Sequence, residues 1–558
     1  MRPLVWLLWD AASAVLAERF LAEGALPNLA HLAEQGTRAA ARPAWPCAQT
    51  PPGMATLITG AEASVHGVYG YREAARPRAL HSALETETGF DARRLRAEPF
   101  WTTAARAGRT VTLVFAPLAA PYDAYARGGV WAPGTGPSIL TFDGYGHVLA
   151  GQAVHRSSEL EKTPEGLRLV LPLAEKPPSV LFKPGPTSVR VEGPEGVAEL
   201  RERRPAALFL GPTVGVTLVL LALGKDEFTV WRSGIWNVHS SDPEAAEELC
   251  QRAGPFLGSG AGHAHREGSL PDPDADYLAT LAAEARFFAR ASAFAVELGA
   301  DVTVVYEPCI DETGHLFQDL YEQGSERGLA LIRESYRLAD EHLGAVLERV
   351  PEDAIVAIAS DHGQQGVRRL FRPNVVLREA GLLATDEAGR IDLDRTKVLY
   401  GPAANGFLLV NAEGSLRGIV PRAEVGEVAR RAVEVLLAHQ DSGGPLLLGA
   451  HLAGEVTPSG RVPESDAGDV CLIAAPHVAL GTGAVGAAVD VGSGGQHTTA
   501  VDVPELDALF LVAGPGVPRL GRLASRIDNA DVAPTLARLI GIPRPAHATG
   551  RALWDAKI

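Results

Sequence analysis

The chain has 558 residues, too many for one simple core, and its 46% hydrophobic and 21% charged residues are an ordinary soluble, globular balance. A net charge of −16 argues against a non-specific nucleic-acid binder, which needs basic patches to meet phosphates. The four cysteines, Cys47, Cys250, Cys309 and Cys471, form no C-x-x-C pair and no disulfide framework, which points to a reducing compartment, the cytoplasm.

Pro3 to Trp9 reads as a buried strand that ends at Asp10. Its apolar run is too short for a signal peptide, and Asp10 interrupts it. Val15 to Glu23 and Pro27 to Gln35 read as helices. Then comes CAQTPPGMATLITG, in which Thr50 reads as the N-cap of a helix begun by Pro51 and Pro52. A helix N-terminus presents free amides and partial positive charge, so an anion is welcome beside the Thr50 oxygen. Phe100 to Ala107 reads as helix and Thr110 to Phe115 as strand. This alternation predicts an α/β fold, a mostly parallel sheet with helices on both faces.

From Gly134 to about Asp274 the pattern changes to Gly- and Pro-rich text with short alternating runs, read as an inserted, mostly β subdomain. Pro205 to Gly224 carries no formal charge, but its glycines and prolines suit two strands and a turn rather than a membrane helix. Gly254 to Asp276 reads as a flexible linker whose His263 and His265 are solvated. The alternation resumes with helix Tyr277 to Leu298, strand Val302 to Tyr306, helix Gly328 to Val350 and strand Ala354 to Ala359. Strand Leu408 to Val410, helix Val425 to Ala438, strands Val470 to Ala474 and Ala508 to Val512, and helix Asp531 to Ile540 with Gly541 as C-cap complete the chain. The predicted division is 1–133 and 276–558 for the α/β core and 134–275 for the insertion.

The chemistry-bearing residues sit at the ends of the predicted strands. Asp10 ends one, Asp311 and His315 lie just past another, and Asp361 and His362 directly follow a third. Open α/β sheets gather ligands at the carboxyl ends of their strands. The four-residue spacing of Asp311 and His315 puts both on one face of a helical turn. Asp and neutral His are the usual zinc ligands of a catalytic site, and His497, in the glycine-rich loop SGGQHTT, completes a second set.

These motifs together resemble the alkaline phosphatase superfamily, and within it the type I phosphodiesterase/nucleotide pyrophosphatase branch and its bacterial predicted phosphohydrolases and phosphomutases. The resemblance lies in Asp10, ALPNLAHLAEQG from Ala25, TPPGMATLITG and HGVYGY between Thr50 and Tyr71, DETGH from Asp311, SDHG from Ser360, GGQH up to His497, and DVAPTLARLIGIP from Asp531. It implies that Thr50 is the nucleophile, that Asp10, Thr50, Asp361 and His362 hold one divalent ion, and that Asp311, His315 and His497 hold the other. The ions implied are zinc, with manganese as the alternative. The implied reaction has two steps, Thr50 displacing the alcohol from phosphorus and water then hydrolysing the phosphothreonine.

Two departures refine this. The family's nucleotide-directed members carry an asparagine after the nucleophile as a phosphoryl donor; here Gly53 follows instead, with only its backbone N–H to offer. Sulfatases need a C/S-x-P-x-R sequence, and Pro51, Pro52 and Gly53 supply no arginine. Trp45, Tyr69 and Tyr71 flank the nucleophile and read as core or rim packing. The expectation is a metal-dependent phosphodiesterase or phosphohydrolase acting on a small phosphate ester, with no nucleic-acid polymer or membrane as partner. A phosphomutase or phosphomonoesterase on the same site is the alternative, and a non-catalytic metal-binding homologue ranks below both. The oligomeric state is not readable from the sequence.

Overall fold

Leu4–Trp9 forms a strand whose six side chains are all buried, the pattern of a strand covered on both faces. In the computed structural model, which describes residues 2–121, 138–173, 177–225, 227–464, 466–499 and 502–554, this strand lies inside a ten-stranded sheet. The expected boundary at 133/134 lies outside the described residues.

Val302–Glu307 and Ile355–Ser360 flank Leu4–Trp9, both parallel to it. Beyond Val302–Glu307 come Val111–Val114 and Ile139–Asp143, still parallel, and then the antiparallel pair-partner His239–Ser240. Beyond Ile355–Ser360 the strand Ala508–Ala513 runs in reverse and pairs with Gly36–Arg42. The sheet is therefore mostly parallel, as expected. One continuous apolar core joins it to the covering helices, among them Thr50–Thr59, Pro273–Glu297, Cys309–Glu322 and Glu326–Leu347.

Register decides where the site falls. Trp9 lies level with Glu307 on one side and Ser360 on the other. The residues that follow these three leave the sheet side by side at its carboxyl edge. A slip by one residue would turn every side chain of a strand to the opposite face, and with both faces buried the register is firmly specified.

The middle of the chain departs from the expected division. Ile139–Asp143 and His239–Ser240, both inside the span read as an insertion, belong to the central sheet. The β unit proper runs from Val148 to Asn237 as a five-stranded and a six-stranded antiparallel sheet over its own core, where Phe182 and Phe228 meet at 5.5 Å. Within it Pro205–Gly211 and Val214–Leu223 pair as two antiparallel strands. Gly254 to Asp276 is no loose linker. Phe256 stacks on Phe115 at 4.6 Å, the Gly260 and Ala261 N–H groups donate to Glu284 and Thr280, and Gly262–Arg266 is a helix. Phe256, Leu257 and Ala261 bury apolar surface there, which outweighs the glycine count. His263 pairs with Glu267 and His265 with Asp274, both outside the site.

A second satellite was not foreseen. Val398–Tyr400, Phe407–Val410, Leu447–Leu452 and Val470–Ala474 form a four-stranded antiparallel sheet of their own. With helices Pro373–Glu379 and Val425–Ala438 it closes a separate hydrophobic cluster between Phe371 and Ala484. The sequence shows the same strand–helix alternation on both sides of residue 371, so the change of sheet leaves no local mark.

His66 fastens the helix Thr50–Thr59 to the segment that follows it. It is fully buried, its Nε2 meets the Thr56 hydroxyl at 3.1 Å, and its Nδ1 accepts the Val68 N–H. Burial pushes its pKa down to about 3, so it is neutral in the fold. The unfolded chain takes up a proton near pH 6.5 that the native imidazole refuses, so stability present above that pH is lost as the pH falls towards 3. Between pH 7.5 and 5 this one group should cost about 2 kcal/mol. Thermal or urea unfolding at the two pH values, for the native chain and for His66→Gln, is expected to show a smaller pH-dependent loss in the variant.

Candidate metal centre and active site

The sheet edge gathers six of the seven proposed ligands, all but Thr50, into two adjoining groups. In the first, His362 Nε2 lies 3.1 Å from Asp361 Oδ2 and 3.5 Å from Asp10 Oδ1. In the second, His497 Nε2 lies 3.4 Å from Asp311 Oδ1 and 3.2 Å from His315 Nε2, and His315 Nε2 lies 3.4 Å from Asp311 Oδ2. The His362 and His497 rings stack at 3.7 Å and join the two groups. Asp311 and His315 share a face of the helix Cys309–Glu322, as their spacing predicts.

All three histidines are oriented the same way. The Nδ1 atoms of His362, His315 and His497 donate to the carbonyls of Gly363, Gly495 and Ala48 at 3.0, 3.0 and 3.1 Å. A carbonyl only accepts, so each Nδ1 carries the proton and each Nε2 turns a bare lone pair into the cluster. Two such lone pairs, on His315 and His497, face each other at 3.2 Å. Asp10 Oδ1, Asp361 Oδ2 and His362 Nε2 are buried and have no hydrogen-bond partner among the described residues.

This donor set fits cations. Tetrahedral ligands at about 2.0–2.2 Å from a metal lie about 3.3–3.6 Å from one another, close to the separations seen. The charges agree. Burial, then Asp361 and Asp311, push the Asp10 carboxyl well above its ordinary range. Burial, then His362 and His315, hold His497 well below the ordinary histidine value. Burial disfavours the His362 imidazolium too, but Asp361 outweighs it and raises its pKa. Carboxylates without cationic partners, beside imidazole lone pairs in a largely buried cleft, are the surroundings that a divalent ion reverses.

Thr50 differs from its sequence reading. Gln49 occupies the N-cap position and Thr50 is the first helical residue. A capping side chain accepts from the second or third helical N–H, and Pro51 and Pro52 stand there without one. Gln49 uses its side chain elsewhere, accepting from the Tyr71 N–H and donating to the Ala404 carbonyl. The helix start therefore offers an anion fewer amides than expected. Gly53 is not the expected donor either, because its N–H is taken by the Gln49 carbonyl at 2.9 Å. Gly53 supplies space instead. A Cβ there would lie 2.8 Å from the Cβ of Asp361. Thr50 thus sits between two anchors, the Ala48 carbonyl on His497 and Gly53 against Asp361, which hold its helix start against both groups.

Several supporting residues gave no signal in the sequence. The Tyr306 hydroxyl donates to Asp10 Oδ2. Gln364 donates to Asp311 Oδ1 at 2.6 Å. Asn529 donates to the Ser360 and Asp361 carbonyls at 3.2 and 2.7 Å, fixing the turn that carries both ligands. Of the aromatics around Thr50, Tyr69 is core and Tyr71 is 57% exposed, edge-on to Phe90. Cys47 and Cys309 are buried fillers, and burial pushes the Cys47 thiol up to about 12.

A mostly parallel sheet with carboxylates and imidazoles gathered at its carboxyl edge defines a metal-dependent phosphoester hydrolase of the alkaline phosphatase superfamily. The family model for type I phosphodiesterase/nucleotide pyrophosphatase matches residues 4–173 and 235–498, so the chain belongs to that family. The interval between the two matched segments falls inside the β unit, and residues 499–558 lie beyond the match. Human ectonucleotide pyrophosphatase/phosphodiesterase 5 superposes with a TM-score of 0.52 at 13% identity, over 99% of this chain and 98% of that one. The murine protein, as an inactive variant in complex with AMP, does so with a TM-score of 0.51 at 12% identity, over 100% and 98%. At such identities the likeness is one of fold. A 2,3-bisphosphoglycerate-independent phosphoglycerate mutase from Cereibacter sphaeroides is 38% identical over 101 residues, 17% of each chain. A putative extracellular sulfatase homologue from Caenorhabditis elegans is 41% identical over 46 residues, 8% of this chain and 6% of that protein. This chain therefore matches only small parts of those two curated relatives.

Gly53→Ala removes no ligand but presses on Asp361. Displacing a metal ligand through its neighbours typically costs 10–100-fold. We expect divalent-metal affinity, measured by competition with a chelating dye, to fall by about that factor, with far-UV circular dichroism unchanged.

Proposed function

We propose that the protein is a two-metal phosphodiesterase that works through a covalent phosphothreonine at Thr50. The observation that carries this reading is the pair of adjoining ligand groups with the start of the Thr50 helix held against both. Asp10, Asp361, His362 and Thr50 would hold one ion, and Asp311, His315 and His497 the other. Zinc suits the mixed imidazole and carboxylate set, and manganese is the alternative. Bound there, two divalent ions lower the pKa of a coordinated hydroxyl and neutralise charge on the attacking and leaving oxygens.

The protein's own residues supply the rest. The Thr50 oxygen attacks phosphorus, the bond from phosphorus to the leaving alcohol breaks, and the alcohol departs with a proton. A water molecule then attacks the phosphothreonine, the Thr50 Oγ–P bond breaks and the threonine hydroxyl is restored. His315 and His497 are fixed by their carbonyl partners, and Tyr306 and Gln364 hold Asp10 and Asp311. Small phosphate esters are the proposed substrates, diesters ahead of monoesters.

The partial likeness to a phosphoglycerate mutase supports a second reading, in which an alcohol instead of water takes the phosphoryl group from Thr50. Among the described residues no helix is long and apolar enough to cross a membrane. Four buried, unpaired cysteines support the proposed cytoplasmic setting.

On zinc- or manganese-loaded protein, a panel of aryl phosphodiester, aryl phosphomonoester, nucleotide diester and sulfate ester should be led by a phosphodiester. Thr50→Ala should lower kcat by at least about 1000-fold, the scale for loss of a nucleophile. Full activity in that variant would overturn the assignment, and transfer to an added alcohol in place of hydrolysis would favour the mutase reading.

A further inference from the structure

A phosphoryl group above Thr50 needs donors for its non-bridging oxygens, and the usual sources are absent or engaged. Pro51 and Pro52 have no N–H, and the Gly53 N–H is bonded within the helix. Among the described residues no arginine or lysine pairs with Asp10, Asp311 or Asp361. The Tyr306 hydroxyl is committed to Asp10 and the Gln364 amide to Asp311.

A donor without a partner among the described residues comes from the junction with the β unit. Tyr145 lies in the turn between Ile139–Asp143 of the central sheet and Val148–Ala150 of the β unit. Its hydroxyl has no hydrogen-bond partner among the described residues, and the residue is 40% exposed. Its ring is held by four others, Phe256 at 4.9 Å, Trp236 at 6.2 Å, Tyr306 at 6.3 Å and Phe115 at 6.4 Å, each edge-to-face. Gly144 lets the turn come this close, since a Cβ there would lie 2.4 Å from the Phe256 ring. Tyr306, against which Tyr145 packs, is the residue bonded to Asp10, so the free phenol stands one ring away from the first ligand group. Asp10, Glu284 and Glu312 all lie within electrostatic reach of its phenol.

We propose that Tyr145 is the substrate-positioning donor of the site, its phenol O–H bonding a non-bridging oxygen of the phosphoryl group presented to Thr50. This rests on the phosphoryl-transfer reading above. A phenol titrates near pH 10, so at neutral pH it keeps the proton it donates. The turn that leads into the β unit then acts on specificity, because it brings a donor that the nucleophile's own helix lacks.

Tyr145→Phe keeps the ring and removes only the donor. In the metal-loaded protein kcat/KM for an aryl phosphodiester is expected to fall about 10–100-fold, the scale for a hydrogen bond to a charged group. The inhibition constant of orthovanadate, a mimic of five-coordinate phosphorus, should rise by a similar factor while Tm stays within about a degree. Unchanged kcat/KM and vanadate inhibition, in an enzyme that Thr50→Ala inactivates, would overturn the inference and leave the phosphoryl-transfer reading standing. A fall in Tm without a change in vanadate inhibition would assign Tyr145 to packing and overturn it as well. If Thr50→Ala remains fully active, the reading itself falls and this inference with it.

Discussion

Three carboxylates gathered around His362 at one edge of the sheet, two of them buried, are the constraint on which the rest of this structure depends. Asp361 and Asp311 both act against the charge on Asp10, and burial strips Asp10 and Asp361 of water. The fold brings them together because Leu4–Trp9, Val302–Glu307 and Ile355–Ser360 are locked level in a sheet buried on both faces. The carbonyls of Gly363, Gly495 and Ala48 then turn three imidazole lone pairs towards the same point. Hydrophobic burial along the strands stabilises an arrangement that electrostatics opposes, and cations in the pocket reverse the sign of that opposition.

The proposed nucleophile is presented by subtraction. Two prolines remove the N–H groups that a capping side chain would satisfy, and a glycine removes the side chain that would collide with Asp361. The helix start that remains is poor in donors, with Thr50 at its head. Such a site depends on ions, and on groups from elsewhere in the chain, for the charge stabilisation that backbone amides give other phosphate sites. The β unit and the satellite around Phe371–Ala484 each reach this region, one through Tyr145 and the other through the Ala404 carbonyl that holds Gln49.

Much of the central sheet was legible because strand ends and polar residues coincide. Asp10, Asp311 and Asp361 each follow an apolar run, and DETGH fixes His315 by helical spacing alone. His497 was legible only as a member of the set, since SGGQHTT has no periodicity to place it. Tyr306, Gln364, Asn529 and Tyr145 were not legible at all, because their roles arise from contacts between segments far apart in the chain. Gly254 to Asp276 misled by composition, since counting glycines ignores what Phe256 and Leu257 bury. The satellite around Phe371–Ala484 was hidden because a strand's pattern reports its burial and not the sheet it joins.

The central claim is that two cations share this cleft. Anomalous diffraction at the zinc edge, from crystals grown with zinc, tests it most directly. The account predicts two peaks about 4 Å apart, one bounded by Asp10, Asp361 and His362 and the other by Asp311, His315 and His497. A single peak at full occupancy, or zinc bound elsewhere while this cleft stays empty, would contradict it.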